Sequence, residues 1–314
     1  MADSLGPHGQ IAAETARDRF ALALFDRLWA EYRRRVSYVQ MYEQMIRLHG
    51  AAFVNDHIAF RTIATQSPSS GIHALSRIFE ALGYRAAGTY FFDDKHLGAI
   101  HFQHPHAEFP KLFISELKTW ELDDASRTLI LSSLASHREP LEDRELAELA
   151  RIEDDAAASG LLDRLVGWFT ELPWQPPEKE AIVLLNQTTQ YGAWVLVHGY
   201  NVNHFTSLIN SHGVEALDSL EKTIAALQQA GVPMKTEIEG AAGSKLRQTA
   251  TEAVMSEVAV REAGKAATIP WTYAYFELAQ RDWVTDPGTG QQTRFEGFLG
   301  VQATNLFEMT RLKG

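Results

Sequence analysis

The chain has 314 residues, 45% of them apolar, no cysteine, and 40 acidic against 29 basic residues, for a formal net charge of −11. Its length and apolar content suit one large domain or two smaller ones, and its acidic charge argues against a nucleic-acid or anionic-membrane partner. The lack of cysteine excludes disulfides, zinc–thiolate sites, iron–sulfur clusters and cysteine nucleophiles, so any metal must be bound by histidine and carboxylate.

The first 50 residues are predicted to hold a disordered lead-in, residues 1–12, and then a helical segment, residues 13–50. The lead-in lacks the charged and apolar regions of a secretory signal, and no run of about 18 apolar residues occurs, so we expect a cytoplasmic protein. Apolar residues of the helical segment recur at helical spacing, and Gly50 stands where a glycine ends a helix. Its aromatic residues are interpreted as core packing.

Residues 51–120 are predicted to form the first half of a repeated unit. Apolar and polar residues alternate from Asn55 to Ile63, which is typical of a half-buried strand. His57 and Arg61 then share one face, and a rise of roughly 3.3 Å per residue places their Cα atoms about 13 Å apart. A small acidic molecule fits between them. A helix that ends at Gly83 follows, and then three strands, at residues 89–92, 98–103 and 111–118.

Residues 121–178 are predicted to be a helical insertion whose charged residues face solvent. Residues 179–314 form the second half, in a single domain that spans residues 13–314. A strand is predicted at 194–197, and His204 lies in the next stretch. A helix that ends at Gly231 follows, and then two strands, at residues 245–254 and 272–281, and a turn between two short strands near the end.

The two halves form a weak internal repeat. Each begins with a histidine on a strand, continues with a helix that ends at glycine, and closes with similar phrases that carry Glu116 and Glu277. We therefore predict an α+β fold in which two β-α-β-β-β halves pair into one curved, barrel-like mixed sheet, with added helices. This arrangement would bring His57, His204 and a carboxylate together.

Two histidines and one carboxylate, with open coordination positions, are the ligands of non-haem iron(II) oxygenases. The same ligands suit zinc, manganese or cobalt, so the metal is not fixed by the residues alone. Their spacing gives no help, because the candidates lie on different strands.

Three phrases in order resemble those of the 2-oxoadipate dioxygenase/decarboxylase family, once catalogued as a domain of unknown function and similar in fold to vicinal oxygen chelate enzymes. They run from Asp56 to Thr62, from Val202 to Thr206 and from Phe276 to Arg281, and the resemblance covers about residues 15 to 305. It implies iron(II) bound by His57, His204 and Glu277, with Arg61 binding the far carboxylate of the substrate.

The resemblance further implies that 2-oxoadipate and O₂ are converted to 2-hydroxyglutarate and CO₂ by intramolecular ferryl hydroxylation, in lysine degradation. Two other classes stay open: another vicinal oxygen chelate enzyme, such as a lyase, isomerase or extradiol dioxygenase, and a small-acid-binding protein without turnover. The sequence also leaves open the oligomeric state and whether supporting roles belong to Glu116, Gln248, His198 and Asn203.

Overall fold

The computed structural model describes residues 6–300, 307 and 310, with the side chains of 155–157 left aside. The outer part of the expected lead-in, residues 1–5, and most of the chain beyond residue 300 lie outside the described residues. Within the described part of the chain, no helix is long and apolar enough to span a bilayer.

The beginning of the described chain is packed against the fold. His8 is fully buried, with its Nδ1 2.7 Å from the carboxylate of Asp26 and its Nε2 3.0 Å from the side-chain oxygen of Asn55. The expectation of a disordered lead-in is therefore wrong for this stretch, because one buried imidazole ties it to the first helix and the first strand.

Two helices cover the outside of the sheet, α1 at Ala16–Arg35 and α2 at Ser37–His49. A reciprocal capping box between Thr15 and Asp18 begins α1, and Gly50 in the left-handed conformation ends α2 as predicted. Trp29 of α1 packs edge-on against Phe205 at 5.0 Å between ring centroids. The aromatic residues of these helices are thus core packing, which confirms the sequence interpretation.

The first half has the predicted β-α-β-β-β order. Its elements are β1 at Asn55–Ala64, α3 at Ile72–Ala81, β2 at Arg85–Phe92, β3 at Leu97–Gln103 and β4 at Lys111–Lys118. β4 pairs with β1 in parallel. β3 pairs antiparallel with β4, and β2 pairs antiparallel with β3. All ten residues of β1 are buried, because this strand lies in the middle of the sheet.

The second half departs from the predicted order by one inserted hairpin. Its elements are β5 at Val202–Leu208, α9 at Leu220–Gln229, β6 at Leu246–Ala250, β7 at Met255–Glu262, β8 at Lys265–Thr272 and β9 at Glu277–Arg281. β7 and β8 pair with each other as a separate two-stranded sheet. The stretch 233–239 takes the place of β2, since it runs antiparallel beside β6 through the bridges Met234–Thr251 and Glu239–Gln248.

The main sheet is a mixed, seven-stranded half-barrel in the order β2-β3-β4-β1-β5-β9-β6. The two halves join where β1 and β5 run antiparallel. The expected curved mixed sheet is confirmed in this form. A last hairpin, β10 at Trp283–Thr285 and β11 at Gln292–Arg294, lies outside it, at the turn predicted near the end of the chain.

Five helices connect the halves: α4 at Asp124–Leu134, α5 at Asp143–Leu149, α6 at Asp155–Thr170, α7 at Lys179–Thr188 and α8 at Gln190–His198. The strand predicted at residues 194–197 is wrong, because these residues belong to α8, every residue of which is buried. Thr189 caps the start of α8 by accepting a hydrogen bond from the backbone of Gly192, and Gly199 with a positive φ ends it.

Candidate metal centre

Strand register brings the three predicted ligands together at the junction of the halves. His57 on β1 lies opposite Thr206 on β5, and Thr206 lies opposite Glu277 on β9. His204 lies two pairs further along, opposite Ala59. One potential ligand atom from each of the two imidazoles and from the carboxylate falls within 4.8 Å of the others, and all three residues are buried.

The Nε2 atoms of both imidazoles lie close to the carboxylate of Glu277. His57 Nε2 lies 3.2 Å from Glu277 Oε1, and His204 Nε2 lies 3.6 Å from Glu277 Oε2. The Thr206 hydroxyl lies 3.0 Å from His57 Nε2 and donates to Glu277 Oε1 at 3.1 Å. Thr206 therefore braces one imidazole and the carboxylate at the same time.

The donor set fits a divalent metal ion. Glu277 Oε2 is fully buried and has no hydrogen-bond partner in the part of the chain that the structure describes, which is costly for a carboxylate oxygen unless a cation binds it. Two imidazole nitrogens and a carboxylate oxygen are ligands for iron, zinc, manganese or cobalt. The group can thus hold a metal ion, and the geometry does not choose among these metals.

His57 is oriented by a charged pair. The Asp56 carboxylate accepts from His57 Nδ1 at 2.7 Å, and Arg281 binds the same carboxylate through Nε at 2.6 Å and Nη2 at 2.9 Å. Arg281 also donates to the backbone oxygens of Phe295 and Gly297. This network directs the Nε2 of His57 toward Glu277 and fixes its tautomer.

His204 is oriented by a neutral amide. Its Nδ1 donates to the Asn203 side-chain oxygen at 3.0 Å, and its ring stacks on Tyr275 with 4.9 Å between centroids. Asn203 therefore lies where it can fix the orientation of this imidazole, and that role stays a prediction. His198 has no such role, because it packs against Trp194 and its Nε2 faces the backbone oxygen of Thr272 at 2.8 Å.

The ionisation of the three residues follows from burial and mutual charge. Burial raises the pKa of Glu277, but the two imidazoles and the Thr206 hydroxyl outweigh it, so the pKa lies below its ordinary value. Burial lowers the pKa of His204 to about 3. Burial also lowers the pKa of His57, but hydrogen bonds to Asp56 and Glu277 raise it above its ordinary value. Glu277 is therefore ionised at neutral pH, as a metal ligand must be.

Arg61 lies in the same cavity as His57 and is almost fully buried. The centre of its guanidinium is 5.2 Å from the ring centroid of Tyr191 and 5.3 Å from that of Trp194, and its Nη1 donates to the Thr310 hydroxyl at 2.7 Å. The cavity is lined by Arg61 together with His57 and His204. Its apolar wall is made of Phe92, Phe113, Phe298, Leu299 and Phe307.

Glu116, the alternative to Glu277, lies outside this group. Its carboxylate accepts from the backbone of Ile72 at 2.8 Å, at the start of α3. Strand register gives the reason. Ala59 and Thr206 are equivalent positions, each two residues after a site histidine. Ala59 pairs with Phe113 on β4, whereas Thr206 pairs with Glu277 on β9. Phe113, and not Glu116, thus occupies the first half's equivalent of the Glu277 position. Gln248, by contrast, does line the cavity.

Sequence reasoning missed Asp56, Thr206 and Arg281 as supporting residues, although all three stand in the phrases that carried the resemblance. One signal was available. Asp56 precedes His57 as Asn203 precedes His204, so an orienting role proposed for one of them applies to the other.

The fold of the chain is similar to that of glyoxalase-like proteins of known structure. The crystal structure of a protein assigned to the glyoxalase superfamily, from Ralstonia eutropha JMP134, matches with a TM-score of 0.79 and 24% identity. The match covers 91% of this chain and 88% of that one. The crystal structure of the hydroxyglutarate synthase in complex with 2-oxoadipate from Oryza sativa matches with a TM-score of 0.75 and 23% identity, over 99% of this chain and 98% of that one.

Sequence comparison narrows the class to a family. The family model described as 2-oxoadipate dioxygenase/decarboxylase matches residues 24–295. A relative with the same description, chloroplastic/amyloplastic, from Oryza sativa subsp. japonica is 26% identical over 273 residues, which cover 81% of this chain and 68% of the relative. The chain belongs to the 2-oxoadipate dioxygenase/decarboxylase family, a family of enzymes, and the resemblance found in its sequence is confirmed.

Proposed function

We propose that this protein is an iron(II)-dependent dioxygenase that converts 2-oxoadipate and O₂ to 2-hydroxyglutarate and CO₂. The reaction balances: the carboxyl group beside the keto carbon leaves as CO₂ with its own two oxygens. One oxygen atom of O₂ enters the new carboxyl group formed at the keto carbon, and the other becomes the hydroxyl of the five-carbon product. The observation that carries the proposal is the buried cluster of His57, His204 and Glu277 in a cavity that also contains Arg61.

We assign His57, His204 and Glu277 as the iron ligands. When bound, iron(II) would supply open coordination positions and the electrons that activate O₂. The protein's own contribution is orientation, since Asp56 and Asn203 hold the two imidazoles with their Nε2 atoms toward Glu277. Such support keeps the ligands in place before the metal and the substrate arrive.

We assign Arg61 as the group that binds the far carboxylate of the substrate. A guanidinium forms strong, paired hydrogen bonds with a carboxylate, and the low polarity of a buried site strengthens them. The Tyr191 and Trp194 rings pack near the guanidinium and limit its freedom. His57 and Arg61 share one face of β1, and the roughly 3.3 Å rise per residue separates their Cα atoms by about 13 Å, which suits a six-carbon diacid between metal and guanidinium.

The apolar wall has a separate function in this proposal. Phe113 and Phe298 pack together with 5.0 Å between ring centroids, and Phe298 also lies edge-on to His57 at 4.8 Å. Aromatic rings against the reacting centre exclude water, which would otherwise quench a strong oxidant and weaken the contact with Arg61.

The test is anaerobic loading with iron(II), followed by oxygen uptake on addition of 2-oxoadipate and mass analysis of the products. We expect uptake matched by equal CO₂ and 2-hydroxyglutarate, and none in a His204→Ala control. An Arg61→Lys variant should retain the metal and need a much higher 2-oxoadipate concentration, because one ammonium cannot replace a paired guanidinium contact. Uptake with a different 2-oxo acid only would change the substrate. No uptake with any 2-oxo acid would overturn the proposal.

A further inference from the structure

Two side chains of the cavity carry polar atoms that have no hydrogen-bond partner among the described residues. Asn203 and Gln248 both line the cavity and expose only 1% and 2% of their surface. The amide nitrogen of Asn203 and the amide oxygen of Gln248 are buried without a hydrogen-bond partner. An unsatisfied buried polar group costs about 1–3 kcal/mol, so such atoms in a cavity point to a ligand that completes them.

The orientation of the Asn203 amide follows from the metal site. His204 can bind a metal through Nε2 only if its proton is on Nδ1, and Nδ1 then donates to the Asn203 oxygen at 3.0 Å. The amide nitrogen must therefore point away from the imidazole. It offers two N–H groups to something other than His204.

The orientation of the Gln248 amide follows from a carboxylate. Its nitrogen donates to Glu239 Oε2 at 3.2 Å, and an ionised carboxylate only accepts hydrogen bonds. Reversing the amide would set two oxygens against each other. Gln248 therefore keeps its oxygen as a free acceptor, and the cavity holds one unused donor and one unused acceptor.

We propose that Asn203 binds the substrate at its 2-oxo acid end and that Gln248 binds the hydroxyl of the product; this inference rests on the proposed function. An ionised 2-oxo diacid has only hydrogen-bond acceptors, so it can satisfy the N–H groups of Asn203 but not the oxygen of Gln248. The 2-hydroxy acid that forms carries one new donor, its hydroxyl, and Gln248 accepts from it. Asn203 is thus a substrate-binding residue as well as the residue that orients His204.

Binding measurements on the full chain separate these roles. Manganese(II) and iron(II) affinity would be measured by anaerobic calorimetry, and then the affinity for 2-oxoadipate and for 2-hydroxyglutarate at saturating metal. Asn203→Ala should weaken both metal binding and 2-oxoadipate binding at least tenfold. Asn203→Asp keeps an acceptor for His204 and should hold metal within about threefold of wild type, yet still lose at least tenfold in 2-oxoadipate affinity, because its donor is gone.

Gln248→Met tests the second half of the proposal, at a position other than 203. It should bind 2-oxoadipate as tightly as wild type, or more tightly, and bind 2-hydroxyglutarate about tenfold more weakly. Metal-saturated Asn203→Ala with wild-type 2-oxoadipate affinity would overturn the role of Asn203. If Gln248→Met changed the affinities for 2-oxoadipate and 2-hydroxyglutarate by the same factor, the proposed role of Gln248 would be overturned. Failure of wild type itself to bind any 2-oxo diacid would instead refute the proposed function, and this inference with it.

Discussion

The two halves of the sheet share a topology but divide the chemistry between them. Each provides one histidine on its first strand, and the residue before that histidine orients its Nδ1. The last strands differ, since β4 places Phe113 where β9 places Glu277. The first half thus contributes Arg61 and the Phe113 ring to the cavity, whereas the second contributes the carboxylate that completes the metal ligands.

The orienting residues differ in the same way. Asp56 of the first half is charged and is bound by Arg281 of the second. Asn203 is neutral, lines the cavity and has an amide nitrogen without a hydrogen-bond partner among the described residues. A neutral residue beside His204 avoids a second negative charge near an acidic substrate. The comparison indicates that the repeat supplies a backbone frame, and that single side chains at equivalent positions decide what each half does.

The largest expected effect comes from the carboxylate that only the second half places in the site. Glu277→Gln retains the shape of the side chain and removes its charge. Loss of a residue that only hydrogen-bonds to a metal ligand typically costs about 10–100-fold in metal affinity, so loss of a charged ligand should exceed that range and abolish turnover. Metal titration by calorimetry and oxygen uptake would be measured together.

Glu116→Gln is the matched control from the first half. Its carboxylate receives the backbone N–H of Ile72 at the start of α3, where a negative charge contributes about 0.3–1 kcal/mol. We expect unchanged metal affinity and turnover, with a loss of unfolding free energy within that range. If the two variants lost metal to the same extent, the register assignment of Glu277 and Phe113 would be wrong.

The second-largest effect is expected from a substitution that gives the first half a neutral orienting residue, as in the second half. Asp56→Asn leaves the Arg281 guanidinium buried without the carboxylate that it binds through two nitrogens. Breaking such a buried pair typically costs about 3–5 kcal/mol in stability, and loss of support for a ligand about 10–100-fold in metal affinity. Urea unfolding of the metal-free protein and metal titration give the two numbers. Asp282→Asn, an exposed neighbour of Arg281, should change neither, and a stability loss below 1 kcal/mol for Asp56→Asn would contradict the prediction.

The comparison also shows what sequence patterns could predict. The alternation at residues 55–63 identified β1, and the face it predicted for His57 and Arg61 is the face that lines the cavity. Motif resemblance identified the three candidate ligands. These features depend on local period and short phrases, which a single sequence displays.

What the sequence could not give depends on register and burial. Glu116 and Glu277 occur in similar sequence phrases, but Glu116 lies three residues beyond Phe113, the residue of β4 that is equivalent to Glu277 in β9. A single sequence does not show which residues of two strands pair, so it could not tell the two glutamates apart. The apolar run at 194–197 resembles a buried strand because a fully buried helix has no polar face. Its caps, Thr189 and Gly199, were the signals that favoured a helix.

A smaller effect is expected at His198, which, unlike His204 of the same half, is a structural residue outside the metal site. Burial lowers the pKa of His198 to about 3, while the unfolded chain has an ordinary value of about 6.5. Between these values the unfolded state binds the extra proton, so the stability that neutral His198 gives is full above about pH 6.5 and lost as the pH falls. His198→Phe should reduce the loss of unfolding free energy between pH 7 and pH 5 by about 2 kcal/mol. Metal affinity at pH 7 should not change, and parallel stability–pH curves for the two proteins would refute the assignment.

The smallest expected effect lies in the hairpin that only the second half contains. Ala263 and Gly264 form its two-residue turn with φ values of 50° and 76°, and such turns favour asparagine followed by glycine. Alanine in the left-handed region costs roughly 1–2 kcal/mol, and asparagine recovers part of that cost through its short polar side chain. Ala263→Asn should therefore raise the unfolding free energy by about 0.5–1 kcal/mol, measured by urea unfolding. Oxygen uptake should stay the same, because β7 and β8 form a sheet separate from the seven-stranded one and contribute no residue to the lining of the cavity in the described part of the chain. A change in turnover without a change in stability would show that this hairpin, and not only the seven-stranded sheet, shapes the site.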